Sequence, residues 1–230
     1  VGDQGRIYSD NFSAKVLDVQ KQKDIFIHTV EFEKGIAEEN KTYKLVVDVV
    51  RRLDTAKNHT ATHLLHKALR EVVGTHVQQA GSLVDSEKLR FDFSHYEALT
   101  AEQLSKIEDI VNEKIREGIE VKVSHHSIEE AKKLGAMMLF GDKYGDVVRV
   151  VDVPGFSTEL CGGTHIDNIG KIGLFKIVSE SGIAAGVRRI EAKTGYGAYL
   201  VEKEEADILK NIEASDAIRE DNKISFLMQS

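Results

Sequence analysis

The chain has 230 residues, 41% hydrophobic and 30% charged, with no apolar run near the roughly 18 residues a spanning helix needs. Neither a disordered tail nor a helical membrane protein fits, which leaves one large domain or two small ones. Lys plus Arg is 31 against 38 Asp plus Glu, a net charge of −7, so any nucleic-acid contact must come from a local patch. One Cys excludes an intrachain disulfide framework, and a lone thiol beside nine His suits a reducing cytoplasm. Residues 15–19, 25–32 and 43–50 are short β-branched and aromatic runs between charged turns, predicting a small antiparallel β-barrel over 1–53. Composition changes at Asp54, the expected cap of a helix whose Ala61, Leu64, Leu65, Ala68, Leu69, Val72 and Val73 keep the 3.6-residue period until Gly74.

Beyond that helix, 88–93 alternates, with Leu89, Phe91 and Phe93 on one face of a strand and Arg90 and Asp92 on the other. Thr100 with Gln103 and Ser127 with Glu130 have capping-box spacing before helices that Gly118 and Gly135 close. Strands are predicted at 147–153, 173–178 and 187–192. Helices packed on one antiparallel sheet give an α+β domain over 54–198. Residues 199–230 form a helical segment whose Leu200, Ile208, Leu209, Ile212, Ile218 and Leu227 need a partner. The chain opens at Val1 and stops at Ser230 inside that pattern, and a piece of a longer protein is expected.

The chemistry lies in two half-motifs. His59 and His63 are i and i+4 on the first helix, so both rings can converge on one ion. Far downstream, Cys161-Gly-Gly-Thr-His165 adds a thiolate and a third imidazole across a turn-forming Gly-Gly. Together they are a borderline-soft donor set suited to Zn²⁺. His66 is read as a supporting residue, and His125 and His126 as ordinary strand residues. Thr60 and Ala61 follow His59, so the Glu of a His-Glu-x-x-His metalloprotease is missing. Cys161 with His165 as nucleophile and base would leave His59 and His63 unexplained.

The segments 59–66, 77–84, 89–93, 160–165 and 186–190 resemble the editing domain of the alanyl-tRNA synthetase family, with 1–50 similar to its preceding small barrel and 199–230 to the start of its C-terminal helical segment. Free-standing trans-editing proteins share the two half-motifs. The resemblance implies hydrolysis of tRNA for alanine mischarged with serine or glycine, zinc held by His59, His63, Cys161 and His165, and Thr62 and Gln79 lining the editing pocket. It leaves the aminoacylation domain, and with it ATP-dependent alanine activation, outside this chain. Such a second sieve is needed because a pocket sized for alanine admits glycine and rejects an added hydroxyl only weakly. Read by themselves, Thr62 is as well suited to a bond one helical turn back and Gln79 to a solvated loop. A basic excess at Lys171, Lys176, Arg188, Arg189 and Lys193 is the expected RNA contact, with only one of the adjacent arginines able to face it.

Overall fold

The computed structural model describes residues 1–138 and 145–228, the stretch 213–228 by its backbone alone. The N-terminal unit is β1 (Gly5–Ser9), β2 (Phe12–Gln22), β3 (Ile25–Lys34) and β4 (Lys44–Val47). They form an antiparallel sheet in the order β3-β2-β1-β4. Among the described residues no ladder joins β3 to β4, so the structure shows an open sheet and not the closed barrel expected. Closure depends on long-range pairing of the two edges, which the spacing of β-branched runs does not encode.

The first helix, α1 (Val49–Val72), begins earlier than its expected start. Asp48 is the cap, its carboxylate accepting from Arg51 N at 3.0 Å, while Asp54 lies within the helix and pairs with Lys57. Val49 and Val50 read as the end of a strand because they are β-branched. A good N-cap just before them and the packing of the helix behind them outweigh that weak propensity.

Next come β5 (Gln79–Val84), β6 (Leu89–Ser94), α2 (Ala101–Glu117), β7 (Lys122–Ser127), α3 (Ile128–Lys133), β8 (Val147–Val153) and β9 (Ser157–Leu160). A 3₁₀ turn at Ile169–Ile172, β10 (Phe175–Ala184), β11 (Val187–Thr194) and α4 (Gly195–Met228) complete the chain. Both capping boxes are present with reciprocal bonds at Thr100/Gln103 and Ser127/Glu130. The protein is α+β, but its second unit has two antiparallel sheets where one was expected, β10-β11-β6-β5 and β7-β8-β9. The short strands β7 and β9 lacked a recognisable pattern: β7 is rich in Lys, Ser and His, and β9 has four residues.

The alternation of β6 places Leu89, Phe91 and Phe93 in the core with no exposed surface, packed with Leu64, Leu65 and Leu69 of α1 and Ile107 and Val111 of α2. Burying each such large side chain is worth about 1.5–3 kcal/mol. This core fixes α1 in place, and with it His59 and His63. At the other end, α4 starts four residues before the expected 199. Its Leu200, Ile208, Leu209 and Ile212 are exposed; Ile218 and Leu227 lie outside the described side chains. No helix among the described residues is long and apolar enough to cross a membrane.

Candidate metal centre

His59 and His63 project from α1 toward the loop that follows β9, where Cys161 and His165 stand. One donor atom from each of the four lies within 4.8 Å of every other. His59 Nε2 is 3.4 Å and His165 Nε2 3.2 Å from Cys161 Sγ. A tetrahedral ion with Zn–N of about 2.0–2.1 Å and Zn–S of about 2.3 Å separates its donors by roughly 3.3–3.6 Å, so these spacings fit a zinc site.

Three of the four are held from behind. His59 Nδ1 donates to the Thr164 carbonyl at 3.2 Å, which leaves Nε2 as the lone-pair nitrogen facing the sulfur. Thr60 Oγ1 lies 3.1 Å from His165 Nδ1. Arg149 of β8 donates through Nη1 to the carbonyls of Cys161 and Gly163, each at 2.7 Å. Gly163 is required by space: a Cβ there would stand 2.1 Å from His59 Cε1, whereas one at Gly162 would meet nothing within 4 Å. The Gly-Gly pair is therefore a place of close approach at its second residue.

His66 is not among the four clustered residues. It is 2% exposed, packs on Phe91, and has Nδ1 3.3 Å from Glu159 Oε1, off hydrogen-bond alignment. Glu159, 6% exposed, also lies 3.9 Å from His63 Nε2 and accepts from the Ser157 hydroxyl at 3.2 Å. Burial opposes its ionisation, but His63 and His66 outweigh that and hold its carboxyl below the ordinary value. Sequence reasoning passed over Thr60, Arg149 and Glu159. A Glu two residues before Cys161, alone among the uncharged Ser157, Thr158 and Leu160, was the signal available for one of them.

In the metal-free protein, burial with His63 alongside lowers His59 to about 4, and burial is the first cause of the lowered values of His63 and His165. Burial also pushes the Cys161 thiol up. These directions are opposite to what a thiolate–imidazolium nucleophile pair requires, and they suit neutral imidazoles offering lone pairs to a cation.

Thr62, 3% exposed, donates its hydroxyl to the Asn58 carbonyl at 2.9 Å, the bond one turn back that its helical position allows. Gln79 is half-buried at the start of β5, with a long 3.5 Å contact from Nε2 to Ser82 Oγ. A cavity of about 500 Å³ reaches the metal loop at Thr164 and is otherwise lined by residues 1–4, the N-terminal sheet and Arg52.

The expected basic surface is largely neutralised. Lys171 pairs with Asp167, Lys176 with Glu202 and Glu205, Arg188 with Glu180, and Arg189 with Asp92. Lys193 alone of the five has no ion pair among the described residues. The adjacent arginines do diverge, but each meets an acid. Arg189 lies directly across the β11–β6 ladder from Asp92, a pairing invisible until the register is known.

The family described as "Threonyl and Alanyl tRNA synthetase second additional domain" matches residues 148–191, which hold Arg149, Glu159, Cys161 and His165. The chain is similar to the alanine–tRNA ligase of Fusobacterium nucleatum subsp. nucleatum, 92% identical over 213 residues, covering 93% of the chain and 25% of that relative. It is similar to the same-named protein of Bacillus cytotoxicus, 55% identical over 211 residues, and of Bacillus anthracis, 54% identical over 211; each alignment covers 91% of the chain and 24% of the relative. The chain thus spans about a quarter of the length of the relatives it matches.

Proposed function

The chain belongs to the alanyl-tRNA synthetase family as an editing-domain fragment, and from that premise we propose that it hydrolyses the aminoacyl ester of alanine tRNA mischarged with serine or glycine. The observation that carries the reading is the convergence of His59, His63, Cys161 and His165 on one point, in a chain similar to alanine–tRNA ligases. In this reading the ion is Zn²⁺, the partner is tRNA, the longer protein joins alanine to that tRNA using ATP, and the compartment is a reducing cytoplasm that keeps Cys161 a thiol.

A zinc ion held by His59, His63, Cys161 and His165 would supply positive charge beside the substrate's amine lone pair or its terminal adenosine. Four protein donors make a full tetrahedral set, which favours this role over activation of water. The rest falls to the chain. Thr62 donates to Asn58, so its hydroxyl oxygen keeps lone pairs with which to accept from the substrate's amine or from a seryl hydroxyl. The Gln79 amide, tied among the described residues by a long contact to Ser82, can turn and position the attacking water.

Metal content and release of serine from seryl-tRNA for alanine are measured on one sample. About one zinc per chain with ester hydrolysis, both lost in Cys161→Ala, is the expected result. Binding of tRNA with zinc present but no ester turnover overturns the hydrolase reading in favour of a zinc-stabilised binding module. Zinc-independent turnover through an acyl-Cys161 adduct overturns the metal.

A further inference from the structure

We propose that Thr60 is a positioning residue of the metal centre: its hydroxyl oxygen accepts the Nδ1 proton of the ligating His165 ring, orients that ring and so sets how tightly the ion is held. The inference rests on the metal site alone and is independent of the tRNA reading.

Three threonines on the same helix make the contrast. Thr55 and Thr62 donate their hydroxyls to the carbonyls of Arg51 and Asn58, each at 2.9 Å, as helical threonines commonly do. The contacts of Thr60 Oγ1 instead run across to the ligand loop, to His165 Nδ1 at 3.1 Å and Ile166 N at 3.3 Å. Thr60 has no exposed surface, so water does not supply an alternative partner.

A hydroxyl oxygen has two lone pairs. The Ile166 N–H, which can only donate, occupies one. The hydroxyl can also donate, so without an ion it suits either tautomer of His165. When Nε2, the nitrogen 3.2 Å from Cys161 Sγ, ligates an ion, Nδ1 carries the ring proton and the second lone pair of Thr60 accepts it. The opposite tautomer would place a proton between the ring and the ion. His59 is fixed in the same sense by the Thr164 carbonyl, but a main-chain acceptor is not open to substitution. Thr60 is the side chain that does this work for His165. Outer partners of ligating histidines typically contribute 10–100-fold to metal affinity.

The test uses the whole chain, with Zn²⁺ as probe in competition with a chromogenic chelator. Thr60→Val keeps the shape and the branching at Cβ and loses the oxygen; Thr60→Ser keeps the oxygen. The expected result is a loss of about 10–100-fold in zinc affinity for Thr60→Val and near-native affinity for Thr60→Ser. Urea midpoints of the chelated proteins separate this from a merely structural role, which would lower the midpoint of Thr60→Val and leave its zinc affinity within about threefold of native, overturning the proposal. Nitrogen NMR of the unsubstituted chain loaded with Zn²⁺ gives an answer that needs no variant. A ring proton on Nδ1 of His165, slow to exchange with water, is expected, and one on Nε2 overturns the assignment.

Discussion

Arg149 and Cys161 are tied to each other twice, the Cys161 N–H donating to the Arg149 carbonyl at 3.0 Å and the Arg149 guanidinium donating to the Cys161 carbonyl at 2.7 Å. The first bond continues the β8–β9 ladder past its last pair. The second, with its companion to Gly163, curls the loop so that the thiol faces α1. Arg149→Met should remove both side-chain bonds and leave two carbonyls in search of water. The cost is about 2–4 kcal/mol, since bonds from a charged donor exceed neutral ones. A urea midpoint and a metal assay check this: lower stability together with weakened metal retention is expected, and a native metal content at native stability would remove Arg149 from the loop's support.

The two glycines between Cys161 and His165 are predicted to differ sharply. Gly163→Ala drives a Cβ to within 2.1 Å of the His59 ring and should displace that ligand, so that the variant loses zinc. Gly162→Ala meets open space and should bind zinc like the native chain, with stability within about 0.5 kcal/mol, as for a surface substitution away from special features. Equal zinc affinities for the two variants, measured by chelator competition, would contradict the close approach.

How much of this was readable beforehand follows the range of the interactions. The cluster of His59, His63, Cys161 and His165 was legible because His-x₃-His on a helix and Cys-x₃-His across a turn each encode their geometry locally. The capping boxes at Thr100 and Ser127 and the alternation of Leu89, Phe91 and Phe93 are local in the same way, and all are present. What was missed depends on register and long-range packing: the open edges of the N-terminal sheet, the split into two sheets, the pairing of Arg189 with Asp92, and the contacts of Thr60 and Arg149 with the ligand loop. The basic strip at 171–193 is largely paired, Lys171 with Asp167 close by in the chain and Lys176, Arg188 and Arg189 with acids of neighbouring elements, which a count of charge along the chain does not show.

Without metal, stability should fall as pH is lowered through the histidine range. An unfolded histidine takes up its proton near 6.5, whereas burial lowers folded His59 to about 4 and also depresses His63 and His165. Between those values the unfolded chain binds more protons than the folded one, so stability rises with pH across the window and is lost as pH falls. Urea midpoints of the chelated protein at pH 7.5 and pH 5 should show this as a lower midpoint at pH 5. Equal midpoints would mean that the imidazoles are not buried as the structure has them.

Thr62 gives the sharpest chemical prediction. Its hydroxyl proton is committed to Asn58, so toward a substrate the oxygen can act only as an acceptor. Serine brings a hydroxyl that can donate to it, and glycine and alanine do not, so a site built on this oxygen favours the seryl ester. Thr62→Val leaves size and helix geometry nearly unchanged but removes the acceptor. Because a single lost hydrogen bond is worth about 0.5–1.5 kcal/mol, seryl-ester hydrolysis should fall by roughly 2–10-fold relative to the glycyl ester. Thr62→Ser, which keeps the oxygen, should restore the native ratio. The buried bond to Asn58 is lost in Thr62→Val as well, so its urea midpoint and zinc content are measured alongside to confirm that a folded, metal-loaded protein is compared. An unchanged seryl-to-glycyl ratio in folded Thr62→Val would assign the Thr62 hydroxyl to the helix alone and move recognition of the serine hydroxyl to Gln79 or beyond.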